Sequence, residues 1–220
     1  VTLRLFVYGA GGFGKEVMDV ARRQNAVSKR WEQISFVDDI RTERTHYGAA
    51  VYRFDDPEVQ QHLDQAEFVI ALGEPAAREK LGEKLRLAHA RPGRVVDTSS
   101  LVVESAMLGE GVVITPLCSV SSDAKLGRHA CVNTMSIVGH DVEIGDHTVV
   151  SSMVNIGGAC VIGANSYLGM GALIKEGVRI GSNSIIGMGS VVYSDIPDDV
   201  IALGNPARVA RPNNDRKVFK

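Results

Sequence analysis

The sequence predicts two architectures in series: a small α/β unit, then an all-β parallel β-helix built from hexapeptide repeats. Three observations carry this. Residues 96–191 keep a six-residue period without a break. Residues 1–92 instead alternate strand and helix patterns. Aromatic residues make up only 5% of the chain while glycines number 23, a composition that suits narrow repetitive coils.

Composition also excludes several classes. The formal net charge of −2 and the lack of a basic run argue against a nucleic-acid-binding protein. The apolar runs are too short to span a bilayer. The opening residues run straight into a strand with no signal-peptide pattern. Cys118, Cys131 and Cys160 show neither metal-ligand nor CxxC spacing, so a reducing, cytoplasmic setting is expected.

Within residues 1–92, Leu3–Tyr8 reads as a strand and Gly11–Gln24 as a helix with Val17, Met18 and Ala21 on its apolar side. Gln33–Val37 reads as a second strand, Pro57–Leu63 as a short helix, Phe68–Leu72 as a third strand and Pro75–Ala88 as a Pro-initiated helix. Gly9-Ala10-Gly11-Gly12-Phe13-Gly14 is a GxGxxG turn between the first strand and helix. Such a turn lets a phosphate approach the backbone at a helix N-terminus, which makes the unit Rossmann-like. Asp38 and Asp39 end the next strand, where a carboxylate can meet a ribose or base. The unit is too small for both halves of a dinucleotide fold, so a nucleotide-linked substrate fits better than NAD. The alternative is a glycine turn kept only for strand–helix packing.

Residues 93–194 hold the repeat. With Leu108 as position 1, all fourteen position-1 residues through Ile186 are aliphatic and all fourteen position-5 residues from Val112 to Ser190 are small. Position 2 is glycine in nine of the fourteen. A 3.6-residue helical period cannot sustain that pattern. Each hexapeptide is a short strand plus a corner, and three make an 18-residue coil, with strands about 4.8 Å apart. Position 6 points outward on three faces. The first face carries Val113, Cys131, Val149, Tyr167 and Ile185; the second carries Ser119, Ile137, Asn155, Leu173 and Val191; the third carries Lys125, Glu143, Val161 and Arg179. The apolar first face requires cover. A subunit interface is expected there, with the chain's own tail as the alternative. Residues 195–220 are expected to cap the last coil.

His140 occupies position 3, pointing out of a corner, and Gly158 lies 18 residues on in the same column. A base beside a free backbone N–H suits acyl transfer, with His140 taking a proton, the Gly158 amide receiving an oxyanion, and Asp141 or Asn133 orienting the imidazole or acceptor. The alternative is a surface corner histidine. His129 and His147 stack one coil apart, and with His140 they raise a three-histidine metal site; the gaps of 11 and 7 residues do not match metal-ligand spacing, so no metal is expected. Basic residues near the end, Arg208, Arg211, Arg216, Lys217 and Lys220, suit phosphates of coenzyme A or form a solvated tail.

Taken together, Tyr8-Gly9-Ala10-Gly11-Gly12-Phe13-Gly14-Lys15-Glu16-Val17, Phe36-Val37-Asp38-Asp39, Asn133-Thr134 with Gly139-His140-Asp141, and Gly204-Asn205-Pro206-Ala207 resemble the bacterial sugar acetyltransferases. That group includes nucleotide 4-amino-sugar N-acetyltransferases and sialic acid O-acetyltransferase relatives. The resemblance implies a left-handed coil, a homotrimer, and acetyl-CoA lying along the coils between subunits. It implies a nucleotide sugar held by the N-terminal domain through Gly9, Gly11, Gly12, Phe13, Gly14, Asp38 and Asp39. It makes His140 the general base, Asp141 its orienter and Asn133 a neighbour of the acceptor amine. Gly158 would meet the thioester carbonyl, with Ser152, Met170, Gly171, Met188, Pro206 and Arg208 along the coenzyme. Some members carry histidines where Phe13 and, nine residues after the base and near the acetyl group, Val149 stand. These departures point away from UDP-bacillosamine-type enzymes and toward GDP-perosamine N-acetylation for surface polysaccharide (O-antigen) synthesis. O-acetylation of a sialic acid-type hydroxyl, and a non-catalytic nucleotide-sugar-binding protein, are the alternatives.

Overall fold

In the computed structural model, which describes residues 3–219, the chain begins with β1 (Leu3–Tyr8), α1 (Gly12–Ser28) and β2 (Trp31–Val37). Then follow β3 (Thr45–His46), β4 (Ala49–Tyr52), α2 (Pro57–Gln60), β5 (Ala66–Ile70), α3 (Pro75–Leu87) and β6 (Arg91–Pro92). They form one sheet in the order β3-β4-β2-β1-β5-β6, parallel except for the β3–β4 hairpin. That hairpin, which the apolar pattern does not predict, turns at Tyr47 and Gly48, both at positive φ, as tight hairpin turns need.

The repeats form a parallel β-helix of two-residue strands on three sheets, each strand paired with those one coil before and after. Position-1 side chains fill the interior: Ile114, Val132, Val150 and Leu168 are fully buried. Each buried aliphatic of this size contributes roughly 1.5–3 kcal/mol. Position 5 accepts serine and threonine because their hydroxyls find backbone partners. Ser136 Oγ donates to the Ser151 carbonyl at 2.8 Å and accepts from the Val154 N–H at 3.2 Å. Position-2 glycines are required by coil stacking: a Cβ on Gly139 would lie 2.8 Å from the Gly158 nitrogen. Position 4 instead holds the positive φ, even for Met135, Asp141 and His147.

The first face corrects an expectation. Val113, Cys131 and Val149 are buried, but their cover is this chain's own N-terminal domain: they share an apolar cluster with Val17, Met18, Val20 and Ala21 of α1. Phe219 adds an edge-on contact to Tyr167. A partner subunit therefore does not sit on this stripe. Beyond the last coil, Val200–Gly204 joins the first-face sheet in parallel, and Ala207–Pro212 turns back antiparallel to it. Lys220, read with the basic tail, lies outside the described residues, as do Val1 and Thr2.

Candidate active site

His140 sits at the corner between the second-face strand Ile137–Val138 and the third-face strand Glu143–Ile144. The corner is fixed by the coils on either side. Asp141 N–H donates to the Ser122 carbonyl at 3.0 Å, and Ala159 N–H to the His140 carbonyl at 2.8 Å. The positive φ of Asp141, 57°, brings its carboxylate to the preceding side chain, with Oδ2 at 2.7 Å from His140 Nδ1. With Nδ1–H donated to the carboxylate, Nε2 carries the lone pair. That nitrogen faces Gly158: a Cβ there would lie 2.4 Å from it. Among the described residues the Gly158 N–H donates to no protein acceptor, so a base and a free amide donor adjoin one another. Both members of the His140–Asp141 pair are exposed in the single chain, where water screens their interaction.

The remaining residues expected along the coenzyme lie elsewhere. Asn133, Ser152, Met170, Gly171 and Met188 occupy the next corner, between the first and second faces. Asn133 therefore does not reach His140 within one chain; its Oδ1 accepts from Cys131 Sγ at 3.1 Å instead. Between the two corners the second face exposes Leu101, Ile137 and Leu173, and the Asn133 corner exposes Leu117, Met135, Met153, Met170 and Met188. The third corner holds His129 and His147, stacked at 5.4 Å as their spacing predicts. His140 is on a different corner, so the three histidines do not converge. Burial, then the adjacent Arg78 charge, pushes His129 down to about 3, which keeps it neutral. Pro206 and Arg208 are exposed on the terminal hairpin. Arg216 is not free for a phosphate, because it pairs with Glu79 at 2.8 Å.

The N-terminal domain contains a cleft of about 570 Å³ lined by Tyr8, Gly9, Ile40, Leu72, Leu81 and Lys84, among others. The glycine turn divides in role. Gly9, at φ 111°, would drive a Cβ against Leu72 and Ala71, and a Cβ on Gly14 would strike the Gly9 carbonyl. Those two serve packing. Gly11 and Gly12 face open space at the start of α1, where unpaired N–H groups favour an anion. The packing alternative thus accounts for only half the turn.

Asp38 and Asp39 line the cleft and at the same time brace its walls. Asp38 accepts from the N–H groups of Ala10, Ile40 and Arg41. Burial opposes its charge, but those three donors outweigh it and hold the carboxyl below the usual range. Asp39 accepts from Tyr8 Oη, Lys84 Nζ and the Phe54 N–H. Burial again opposes, and the Lys84 and Tyr8 donors win. Phe13 points away from the cleft and packs into the cluster that contains Val149. The two departures from the histidine-bearing pattern therefore sit in one apolar cluster, and Val149 lies under the N-terminal domain rather than beside His140. The sequence reading missed Leu72, Ala77, Lys80, Leu81 and Lys84; four of them share one face of α3 at helical spacing, the signal that could have found them.

The α/β domain covers the first face and, through α3, the His129 corner. His140 lies at the vertex opposite that face. Cleft and base therefore stand on opposite sides of the coil in one chain.

Comparison with known proteins gives the following. Residues 4–85 match the PglD N-terminal domain family, and residues 159–194 match the bacterial transferase hexapeptide repeats. WeeI from Acinetobacter baumannii AYE is 33% identical with a TM-score of 0.85, covering 94% of this chain and 100% of that one. A histidine-to-asparagine variant of perosamine N-acetyltransferase from Caulobacter crescentus, in complex with CoA and GDP-perosamine, is 29% identical with a TM-score of 0.85 over 93% of this chain and 95% of that one. The acetyltransferase domain of PglB from Neisseria gonorrhoeae FA1090, in complex with acetyl coenzyme A, is 28% identical with a TM-score of 0.87 over 95% and 100%. Among curated protein sequences there is no significant match.

Proposed function

Because this chain belongs to the hexapeptide-repeat, left-handed β-helix family of sugar N-acetyltransferases, we propose that it acetylates the 4-amino group of a GDP-linked 4-amino-4,6-dideoxysugar, perosamine being the leading candidate. It is an acyltransferase whose cosubstrate is acetyl-CoA. The observation that carries the mechanism is the His140–Asp141 pair with Nε2 facing Gly158.

The neutral sugar amine attacks the thioester carbonyl carbon. As the C–N bond forms, His140 Nε2 accepts the amine proton and Asp141 stabilises the resulting imidazolium. The oxyanion meets the Gly158 N–H. Collapse breaks the C–S bond, and the departing thiolate takes the proton back from His140. No cysteine is suited to carry the acetyl group: Cys118 and Cys160 point into the coil, and burial pushes Cys131 up to about 12.

Assembly follows from the separation of cleft and base. We assign the exposed second face and its Met-rich corner to a homotrimer contact, the kind of apolar surface monomers do not leave in water. Packing that face against a neighbour would place Ser152, Met170, Gly171 and Met188 of one chain across from His140 and Gly158 of the next, with acetyl-CoA between them. It would also dehydrate the His140–Asp141 pair and strengthen it. Among the described residues no helix is long and apolar enough to cross a membrane, and we place the enzyme in the cytoplasm, working toward surface polysaccharide.

A thiol-release assay with GDP-, UDP- and dTDP-linked 4-amino sugars tests this reading. The GDP-linked amine is expected to give the highest kcat/KM; equal turnover of the matching hydroxy-sugar would overturn it.

A further inference from the structure

Arg78 of α3 is fully buried and among the described residues pairs with no carboxylate. Its guanidinium donates only to backbone carbonyls. Nε and Nη2 reach the His129 carbonyl at 3.0 and 2.5 Å; Nη1 reaches the carbonyls of Ile70 and Leu72 at 2.9 and 2.8 Å. Burying a cation without an anion is unfavourable, and an apolar side chain of similar volume would be the more stable choice there. The geometry offers the compensation. One edge of the fork holds a coil corner, and the other holds the turn between β5 and α3.

That turn belongs to the cleft. Leu72 lines it, and Leu72 and Ala71 press against Gly9 of the glycine turn. Helix α3 serves both sides at once: Ala77, Lys80, Leu81 and Lys84 face the cleft, while Arg78, Gly82 and Leu85 are buried on its other side. Gly82 lets the helix lie close to the coil, since a Cβ there would stand 2.7 Å from the His147 ring. Burial first, and then the Arg78 charge, holds the stacked histidines under α3 toward the neutral form, so they set no second cation beside the guanidinium.

We propose that Arg78 is a positioning residue whose planar fork registers the nucleotide cleft against the coil, so that the sugar amine reaches the neighbouring chain's His140 at a fixed place. This rests on the reading of the cleft as the nucleotide-sugar site. A lysine keeps the charge but concentrates its donors at one point, and cannot span the coil corner and the turn together.

The test is Arg78→Lys in the full chain, with Arg78→Gln as a second variant that donates without the charge. In either variant kcat is expected to fall about 10- to 100-fold, because misplacement by an ångström is felt at that scale. The Kd for GDP and the KM for acetyl-CoA should stay within about twofold, since Arg78 does not itself line the cleft and lies away from the His140 corner. The Arg78→Lys crystal structure should show the N-terminal sheet shifted relative to the coils. Wild-type kcat per folded molecule with only a lowered Tm would overturn the proposal, as would loss of folding in both variants, which would assign Arg78 to stability alone. If the unmodified enzyme turned over no nucleotide-linked amino sugar, the functional reading would fail, and the placement of the sheet in that crystal structure would still decide the role of Arg78.

Discussion

In the coil, a side chain's direction follows from its place in a six-residue step; in the α/β domain it follows from partners far away in sequence. His140 points outward because it is at position 3, and Asp141 reaches back to it because position 4 takes a positive φ. Asp39, by contrast, is held by Tyr8, Phe54 and Lys84, none of them near it in the chain. The coil can therefore host chemistry by changing two residues in a corner while its rungs stay intact. The cleft has no such separation, and its binding surface and its bracing are the same residues.

The contrast can be broken at its strongest point first. His140→Asn should lower kcat by about 10²–10⁴-fold while leaving the Kd for both substrates near wild type, because it removes a proton acceptor and no rung; steady-state kinetics with calorimetry would check it, and unchanged turnover would remove His140 from the mechanism. Gly158→Ala comes next. Its methyl would fall 2.4 Å from Nε2, so the ring must move, and kcat should drop on the order of 10²-fold with Tm unchanged. Chemical denaturation compared with kinetics separates those two readouts.

A pH experiment sharpens the stability side. The unfolded His129 titrates near 6.5, and in the folded chain it is pushed down to about 3, first by burial and then by Arg78. Between those values the unfolded chain binds more protons, so stability falls as pH falls below about 6.5. The slope from this group is about 1.4 kcal/mol per pH unit. His129→Asn, which tolerates the positive φ, should flatten the loss measured by urea unfolding at pH 7 and pH 5; an unchanged slope would mean His129 is not the group responsible. The smallest effect belongs to the third face. Lys125 and Glu143, paired at 2.8 Å but both exposed, should show no measurable coupling in a double-mutant cycle.

The same contrast explains what could be read in advance. The coil was legible because period six forces inward aliphatics and small residues for fourteen steps, and the stacking of His129 on His147 follows from that arithmetic. What periodicity cannot say is who covers an apolar face. Val113, Cys131 and Val149 do need cover, but it comes from α1, about a hundred residues earlier in the same chain, and not from another subunit. Asp38 and Asp39 do line the cleft, but the strand end that shows a carboxylate does not show the donors that also brace it. Asn133 and His140 lie seven residues apart and still occupy different corners, since a hexapeptide step turns the chain onto a new face.

The central claim is that the cleft of one chain works with the His140 corner of another. Co-assembly of two inactive chains tests it most directly. One would carry His140→Asn. The other would carry Gly11→Trp, which fills the open space above the glycine turn without demanding a positive φ. Random assembly should restore about a quarter of wild-type turnover, because intact cleft and intact base then meet across a chain boundary. Mixed assemblies that form and remain as inactive as either parent would contradict the account.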